Sequence, residues 1–249
     1  MDFAVITGVS RGLGESIAKQ MMEQGTSVIG LSRSENKDLQ SVANKHQVTY
    51  EHYTCDLSSE NEVENVFSQI IDFIKEQKAN NVYVVNNAGV VEPIQKVGDL
   101  PANEVVQHMH VNLIAPMLIT NLFTKNCSEM EVTTVNITSG AANRAVYGWS
   151  TYGSSKAGVN YFTSTTALEL EKNRSSHKIV AFSPGIMDTD MQADIRSASE
   201  EAFAEVDTFK EFKEQGKLRD TDVVAQAMLK LLQQDFENGS VYHVNDLLD

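Results

Sequence analysis

Three glycines follow the first apolar run of the chain at a spacing suited to binding phosphate. Residues 7–14 read Thr-Gly-Val-Ser-Arg-Gly-Leu-Gly, between a predicted strand and a predicted helix. Gly8 permits a sharp turn, Gly12 lets the backbone approach a pyrophosphate, and Gly14 lets the helix pack close to the strand. The free N–H groups and the positive dipole end of the helix N-terminus favour the same anion. The segment therefore predicts a dinucleotide-binding loop.

Two arginines indicate which dinucleotide this loop would bind. The second predicted strand ends at Leu31-Ser32-Arg33-Ser34, and Arg11 lies inside the glycine loop. At this strand end an acidic residue would bind the ribose 2′-hydroxyl, whereas an arginine accommodates a 2′-phosphate. Each arginine alone could be a solvated surface residue, but two guanidiniums can hold one phosphate through charge-assisted hydrogen bonds. Together, with no acid at the strand end, they favour NADP(H) over NAD(H).

Further polar and glycine-containing motifs follow the later predicted strands. Because the carboxyl ends of parallel strands meet at one edge of a sheet, we expect these motifs to form one ligand site. Tyr152 and Lys156 lie four residues apart in a predicted helix, so they share a face and point into the same site. The motifs at the strand ends are Asp56-Leu57, Asn86-Asn87-Ala88-Gly89, Ser139 and Pro184-Gly185-Ile186.

The elements that must position these residues alternate along the whole chain. Short apolar runs rich in β-branched residues are separated by segments of helical period, which predicts an α/β fold with a single Rossmann-type, doubly wound parallel sheet. We expect one domain over residues 1–249, with residues 188–216 inserted as a substrate lid above the carboxyl edge of the sheet. The predicted strands are Phe3–Thr7, Ser27–Leu31, Val48–Thr54, Asn81–Asn86, Glu131–Thr138, Lys178–Ser183 and Val241–Val244. The predicted helices are Gly12–Gln24, Glu35–His46, Glu60–Lys78, Ala102–Lys125, Thr151–Lys172 and Asp220–Gln234.

The composition excludes several classes of protein. The 249 residues include 34 acidic and 20 basic side chains, and the resulting charge of −14 disfavours nucleic acid and anionic membranes as partners. No apolar stretch reaches the roughly 18–20 residues that cross a bilayer, and the N-terminus does not resemble a secretory signal. Two cysteines cannot form a disulfide framework, and no cluster of His, Cys and carboxylates has metal-ligand spacing. We expect a cytoplasmic protein without a catalytic metal.

Taken together, the motifs resemble the short-chain dehydrogenase/reductase family over essentially the whole chain. The glycine loop, Asn-Asn-Ala-Gly, a serine thirteen residues before Tyr-x-x-x-Lys, and Pro-Gly follow the order and spacing of that family. The resemblance implies an NAD(P)-dependent oxidoreductase with a catalytic tetrad of Asn112, Ser139, Tyr152 and Lys156. It also implies a homodimer, because in this family the helix that carries the tyrosine packs against a partner subunit.

The resemblance gives each member of the tetrad a role in reducing a ketone. Hydride transfer to a carbonyl carbon leaves an alkoxide that needs a proton, and Tyr152 would supply it as general acid. A free tyrosine has a pKa of about 10, and the Lys156 ammonium, together with oxidised nicotinamide, would favour the phenolate. Lys156 would also bind the nicotinamide ribose. Ser139 would hydrogen-bond the substrate oxygen, and Asn112 would hold a water in the proton relay.

The same resemblance assigns contacts with NADP(H) to the glycine loop, the strand ends and the start of the inserted segment. The assigned residues are Gly8, Ser10, Arg11, Gly12, Leu13, Gly14, Ser32, Arg33, Ser34, Asp56, Leu57, Asn87, Ala88, Gly89, Tyr152, Lys156, Pro184, Gly185, Ile186, Thr189 and Met191.

Shorter motifs in the second half resemble one subgroup of the family, the sepiapterin reductases and, more closely, the bacterial benzil reductases. The motifs are Gly148-Trp149, residues 188–192, residues 216–218, and Phe236 with Gly239. This subgroup reduces vicinal dicarbonyl compounds, so the resemblance implies a flat substrate with two adjacent carbonyls. The residues expected to contact it are Ser139, Trp149, Tyr152, Met187, Met191 and His243, with Tyr147 as a further apolar candidate.

One departure from the subgroup bears on the substrate. In sepiapterin reductases a C-terminal aspartate binds the amino group of the pterin. Aligned from Gly239, that position holds His243, whose imidazole cannot accept two N–H bonds as a carboxylate does. A shift of two or three residues would place Asp246 there instead. The sequence therefore favours an aryl diketone and leaves a pterin side-chain ketone open.

Two other functions remain as alternatives. A non-catalytic NADP-binding sensor would use the same fold, but it would need no proton donor and so does not account for Ser139, Tyr152 and Lys156. A reductase of 3-oxoacyl thioesters would take its substrate from an acidic carrier, which the charge of −14 would repel. The leading hypothesis is an NADPH-dependent reductase of benzil-type diketones.

Overall fold

Seven parallel strands form the centre of the molecule, of which the computed structural model describes residues 1–248. They are β1 (Asp2–Thr7), β2 (Ser27–Ser32), β3 (Tyr50–Thr54), β4 (Asn81–Asn86), β5 (Glu131–Ile137), β6 (Lys178–Ser183) and β7 (Val241–His243). The strand order is β3-β2-β1-β4-β5-β6-β7. Because the order reverses between β1 and β4, their carboxyl ends open the crevice where doubly wound sheets bind ligands.

Helices connect the strands and cover the sheet. They are α1 (Gly12–Glu23), α2 (Lys37–His46), α3 (Glu60–Glu76), α4 (Ala102–Met109), α5 (Ala115–Asn126), α6 (Ser150–Lys172), α7 (Asp190–Ser197), α8 (Val206–Glu214) and α9 (Thr221–Gln233). Several begin where a polar side chain accepts an otherwise free backbone N–H of the first turn. Asn36, Ser59, Thr189 and Asp220 cap α2, α3, α7 and α9 in this way.

The alternation of side chains along β1 shows why helices are needed on both faces. Ala4 and Ile6 point to one face and pack with α1, α2 and α9, whereas Phe3 and Val5 point to the other and pack with α3 and α5. All four side chains are completely buried. A strand that is apolar on both faces is stable only when both are covered, and this is the arrangement that its sequence predicts.

The predicted Rossmann-type sheet is confirmed, and the largest local difference lies in the helix predicted over Ala102–Lys125. The structure has two helices there, α4 and α5, joined by a π-helical turn over His110–Ile114. Pro116 has no N–H, so it cannot donate to the carbonyl of Asn112 as a regular α-helix would require. The wider turn places the Asn112 side chain in the interior, at 1% exposure.

Two other boundaries differ because of local backbone chemistry. The second helix begins at Lys37 rather than Glu35, since Asn36 is its cap. The third strand begins at Tyr50 rather than Val48, because Gln47 adopts a left-handed conformation and the Val48 N–H still bonds to Ala43 at the end of α2.

Residues 188–216, which the sequence marks as an insertion, contain α7 and α8, and we call them the α7–α8 segment. Phe203 and Phe209 from this segment pack against Trp149 and Tyr152 at the start of α6. We call these four side chains the aromatic cluster. Within residues 1–248, no helix has both the length and the apolar character to cross a membrane.

Candidate active site

The glycine loop connects β1 to α1, and its three glycines serve two different purposes. Gly8 and Gly12 both have positive φ, at 76° and 64°. A Cβ at Gly14 would clash with the carbonyl oxygen of Gly8, and a Cβ at Gly8 would lie 2.9 Å from Asn87 Nδ2. At Gly12, by contrast, the nearest atom to such a Cβ is the Thr189 methyl at 3.7 Å. Gly8 and Gly14 are thus needed for packing, and Gly12 leaves room for a phosphate to approach the backbone.

Polar bonds tie this loop to the end of β4. Asn87 Nδ2 donates to the carbonyl oxygens of Thr7 and Gly8 at 2.9 and 3.3 Å. The Thr7 hydroxyl oxygen accepts from the backbone N–H groups of Asn87 and Ala88, each at 3.0 Å. The Asn87 Nδ2 group is therefore occupied in shaping the loop.

The two predicted phosphate-binding arginines are not paired with each other. Arg11 forms an ion pair with Asp190 at the start of α7, with 2.9 Å between the charged atoms and side-chain exposures of 71% and 63%. Arg33 is exposed at the end of β2, near enough to Asp56 to contribute to lowering the pKa of that carboxyl. The larger cause of that pKa shift is hydrogen bonding from the Ser58 backbone and side chain. Arg33 is therefore available to an anion, and Arg11 would have to leave Asp190 first.

Other residues predicted to contact the cofactor lie around this end of the sheet. The Ser32 hydroxyl donates to the Ser34 carbonyl at 2.7 Å. The Ser10 carbonyl accepts from Asn36 Nδ2 at 3.2 Å. The side chain of Leu13 is buried in the core, so that residue can offer only its backbone N–H. Leu57 is likewise partly buried, against α3 and α5.

Tyr152 lies beside Ser139 at the carboxyl edge of the sheet. Burial raises the pKa of Tyr152, and a hydrogen bond with the Ser139 side chain opposes that rise. The direction differs from the lowering expected from Lys156, because desolvation of the phenolate is the dominant effect among the protein's own groups. Ser139 Oγ also accepts from the Ala141 N–H at 3.2 Å, which leaves its hydroxyl proton free to bond elsewhere. The arrangement holds a protonated phenol next to a hydroxyl donor.

Lys156 lies one helical turn beyond Tyr152 and is 5% exposed. Its Nζ donates to the Ile137 carbonyl at 2.9 Å and lies 5.9 Å from the centre of the Tyr152 ring. Burial lowers the pKa of Lys156 to about 8. The lysine therefore remains largely cationic at neutral pH and loses its charge in mildly alkaline solution.

The Asn112 carboxamide is fixed by the loop that follows β4. Its Oδ1 accepts from the Val90 N–H at 2.9 Å, and its Nδ2 donates to the Val90 carbonyl at 2.7 Å. A Cβ at Gly89 would lie 3.3 Å from Asn112 Oδ1 and 3.7 Å from Lys156 Nζ, so Gly89 borders both side chains. The structure thus brings together all four residues of the predicted tetrad at one edge of the sheet.

The loop after β6 meets the C-terminal end of β7. Gly185 has a φ of 71°, and a Cβ there would lie 3.0 Å from the Arg219 guanidinium and 3.8 Å from the His243 ring. The Asp246 carboxylate accepts the backbone N–H of His243 at 2.9 Å, while His243 Nδ1 accepts the N–H of Asn245. His243 is therefore the side chain that lies against the loop after β6, and Asp246 caps a short helical turn.

The remaining predicted substrate contacts divide into two groups. Trp149 lies in the aromatic cluster with its ring 5.2 Å from that of Tyr152, and Met191 packs on the same cluster. Ile186, predicted to contact the cofactor, packs there too. Met187 packs instead against the core on the α1 and α9 side, and Tyr147 is half exposed. The structure places Met187 and Tyr147 outside the aromatic cluster.

Two buried side chains near the site were not singled out by the sequence. His108 contacts Asn112 and is 1% exposed. Gln192 in α7 is buried, and neither polar atom of its side chain has a hydrogen-bond partner among residues 1–248. His108 could have been found from the sequence, because it lies four residues before Asn112 in a predicted helix and such residues share a face.

Comparisons with known proteins agree with this geometry. A family model described as short chain dehydrogenase matches residues 2–200. A benzil reductase ((S)-benzoin forming) from Bacillus cereus is 39% identical over 249 residues, which is 99% of this chain and 100% of the relative. Sepiapterin reductase from Bos taurus is 27% identical over 95% of this chain and 91% of its own length. A crystal structure of a short-chain dehydrogenase/reductase from Saccharomyces cerevisiae superimposes with a TM-score of 0.84 at 27% identity and covers 100% of both chains.

Proposed function

The chain belongs to the short-chain dehydrogenase/reductase family, and on that premise we propose that it is an NADPH-dependent reductase of vicinal diketones. In the proposed reaction one carbonyl of a benzil-type substrate becomes the alcohol of a hydroxyketone. The observation that carries the proposal is the placement of the buried Tyr152 and Lys156 with the half-buried Ser139 at the aromatic cluster. The relative from Bacillus cereus supports the substrate class by its name.

The proton needed for reduction comes from Tyr152. The substrate oxygen lies against the Ser139 hydroxyl and the Tyr152 phenol, and both donate hydrogen bonds to it. When bound, the reduced nicotinamide supplies the hydride. As negative charge develops on the substrate oxygen, Tyr152 transfers its proton. Because burial raises its pKa, the phenol is protonated and ready for this direction of reaction at neutral pH.

Lys156 stabilises the phenolate that the transfer leaves behind. Its ammonium is held by the Ile137 carbonyl on the Tyr152 side of α6. In a site from which water is excluded, a cation at this range favours the charged form of the phenol. Lys156 also offers its remaining protons to the nicotinamide ribose. Asn112 holds the water that returns a proton to this pair.

The residues around the crevice fit a dinucleotide with a 2′-phosphate. The space at Gly12 admits the pyrophosphate, and the N-terminus of α1 offers backbone N–H groups to it. Arg33 is exposed at the end of β2, where it can pair with the 2′-phosphate, and Arg11 can join it by leaving Asp190. Pro184, Gly185, Ile186 and Thr189 border the nicotinamide end.

The substrate pocket favours an aryl diketone over a pterin. The aromatic cluster offers flat apolar surfaces beside Tyr152, and the α7–α8 segment covers the bound substrate as a lid. A pterin would need a carboxylate at the far end of the pocket. One oxygen of the Asp246 carboxylate caps the turn after β7, and His243 is the side chain that borders Gly185 in the loop after β6.

The test is oxidation of NADPH by the purified protein with benzil or sepiapterin, and with NADH as the control cofactor. We expect rapid turnover of benzil with NADPH and much slower turnover with sepiapterin or NADH. Faster turnover of sepiapterin would favour the pterin alternative and show that Asp246 reaches the substrate. Binding of NADPH without turnover of either ketone would contradict the proposed substrate and favour the sensor alternative.

We infer that the enzyme acts as a cytoplasmic homodimer. Tyr161 and Leu168 are 76% and 53% exposed on the same side of α6, and Met117 of α5 is also exposed. Large apolar side chains in solvent on the helices of the site support a subunit contact there. Light scattering on the purified chain should give twice the mass of one chain, and Tyr161→Glu should shift it towards the monomer.

A further inference from the structure

His108 lies at the centre of a buried hydrogen-bond network between the end of α4 and the start of α6. Its Nδ1 lies 2.6 Å from the Glu92 carbonyl oxygen. Its Nε2 lies 2.8 Å from Asn112 Nδ2 and 3.1 Å from Ser155 Oγ. The imidazole is 1% exposed, so neither nitrogen can exchange these partners for bulk water.

The partners determine where the proton of the imidazole lies. A carbonyl oxygen can only accept, so Nδ1 must carry the proton that bonds to Glu92. Nε2 of the neutral ring is then an acceptor. The Asn112 amide is oriented independently, because its Oδ1 and Nδ2 bond to the N–H and carbonyl of Val90. The second Nδ2 proton of Asn112 is therefore left for Nε2 of His108.

We propose that His108 is a positioning residue that holds Asn112 and the first turn of α6 in register. The proposal rests on the proposed function, since it gives His108 a role in the same proton transfer. With His108 in place, both amide protons of Asn112 are bound, and its only unused hydrogen-bonding capacity is the second lone pair of Oδ1. The carboxamide cannot rotate without breaking three hydrogen bonds.

The His108 imidazole also contacts residues in the first turn of α6, which carries Tyr152. Its ring meets the Tyr152 ring edge-on at 6.0 Å between centres. Ser155 Oγ lies 3.1 Å from Nε2 and 2.8 Å from the Tyr152 carbonyl oxygen, so its one hydroxyl proton can bond to either acceptor. The imidazole thus contacts both the asparagine on the π-helical turn and the first turn of α6.

The hydrogen bond from Asn112 Nδ2 requires His108 to be neutral. A second ring proton on Nε2 would face the Asn112 amide protons, and two donors cannot bond to each other. Burial lowers the pKa of the imidazole, and the Lys156 ammonium that faces it lowers that pKa further. The Glu92 carbonyl is the one contact that favours the charged form.

Two substitutions separate positioning from simple packing. His108→Leu removes both ring nitrogens, whereas His108→Gln can return an acceptor near the Nε2 position. The matched control is His177→Leu, because His177 is also a buried histidine bonded to a carbonyl, that of Cys127 at 3.0 Å. It lies just before β6 and outside the network. All three variants are compared for melting temperature, NADPH dissociation constant, kcat and KM.

We expect kcat of His108→Leu to fall by roughly ten- to hundredfold, since small misplacements of catalytic groups have effects of that size. The dissociation constant of NADPH should stay within about twofold, and His108→Gln should recover most of kcat. His177→Leu should lose melting temperature but keep kcat. The proposal is overturned if folded His108→Leu has the kcat of the wild type. It is equally overturned if His177→Leu loses as much kcat as His108→Leu.

A further measurement separates this proposal from the proposed function. Urea unfolding midpoints are compared for His108→Leu, Asn112→Ala and the double variant. Non-additive losses confirm that the two side chains act together, even if no diketone is reduced by the wild type. A wild type that is inactive on all ketones contradicts the proposed function, whereas additive losses at 108 and 112 contradict the network.

Discussion

The two halves of the crevice present their functional groups in opposite ways. On the catalytic side, Tyr152, Lys156 and Asn112 are almost fully buried, and Lys156 and Asn112 are bound to backbone atoms. On the cofactor side, Arg33 is in solvent and Arg11 is held only by an exposed ion pair. The catalytic side is preorganised by the fold. Under the proposed function, the cofactor side presents exposed charges that an anion can approach.

This difference determines how each side should respond to the substitution of a residue and to ionic strength. A buried, hydrogen-bonded group loses its geometry when one partner is removed, and salt has little effect on it. An exposed charge contributes less, and its contribution falls as ionic strength rises. The predictions below run from the largest expected effect, on the catalytic side, to the smallest, at the exposed ion pair.

Tyr152→Phe should cause the largest loss. The substitution keeps the ring in the aromatic cluster but removes the phenol proposed as general acid, so kcat should fall by about 10²–10⁴-fold. The dissociation constant of NADPH, measured by fluorescence titration, should change by less than about threefold. A variant that keeps more than a tenth of kcat would show that another group supplies the proton.

Arg33→Ala tests the cofactor side. Loss of a charge-assisted contact with the 2′-phosphate should weaken NADPH binding by roughly ten- to hundredfold, and NADH binding should stay unchanged. The effect should shrink at high salt, because Arg33 is exposed. Lys172→Ala is the matched control, since it removes one exposed positive charge from the far end of α6. Equal losses for both cofactors would mean that Arg33 does not bind the 2′-phosphate.

Lys156 gives the catalytic side a measurable dependence of stability on pH. Its pKa is about 8 in the folded chain and 10.5 ordinarily, so between these values the unfolded chain holds a proton that the folded chain has lost. The free energy of unfolding therefore rises with pH, by about 1 kcal/mol between pH 7 and pH 9 from this group.

The measurement is urea unfolding of the wild type and Lys156→Met at both pH values. The rise should be missing in Lys156→Met and retained in Lys45→Met, which replaces an exposed lysine. A rise of the same size in Lys156→Met would assign the effect to other groups.

Asp190→Asn should have the smallest effect. It frees Arg11, and an exposed ion pair contributes at most about 1 kcal/mol, so NADPH affinity should rise by no more than about fivefold at low salt. The melting temperature should not change measurably. Asp194→Asn, another exposed acid of α7, controls for the change in net charge. A weaker affinity in Asp190→Asn alone would show that the pair supports the cofactor site instead of competing with it.

The sequence was sufficient to predict the architecture because each element repeats the same physical signal. β1 is apolar on both faces, the glycines stand between a strand and a helix, and caps such as Ser59 and Asp220 mark where helices begin. These signals are local, so they can be recognised without knowing the tertiary contacts between distant residues. The family motifs can be recognised in the same way, because they follow successive strands in a fixed order along the chain. The match to the family model confirms the family.

What the sequence did not predict depends on contacts between distant residues. The ion pair of Arg11 with Asp190 joins residues that lie 179 positions apart in the sequence. The rise in the pKa of Tyr152 comes from burial, and its ring contacts include that of His108, which lies 44 positions earlier in the chain. The π-helical turn at Asn112 could have been anticipated from Pro116, but its consequence for His108 required the positions of Val90 and Glu92.

Under the proposed function, the first turn of α7 lies between the cofactor and the substrate. Thr189 faces Gly12 of the cofactor loop, while Met191 and Ile195 of the same eight-residue helix pack on the aromatic cluster. Under the proposed function, a motion of this short helix on cofactor binding would also move a wall of the substrate pocket. Binding of the two ligands is then thermodynamically linked, and the linkage is reciprocal. If the bound cofactor changes the affinity for the diketone by some factor, the bound diketone changes the affinity for the cofactor by the same factor.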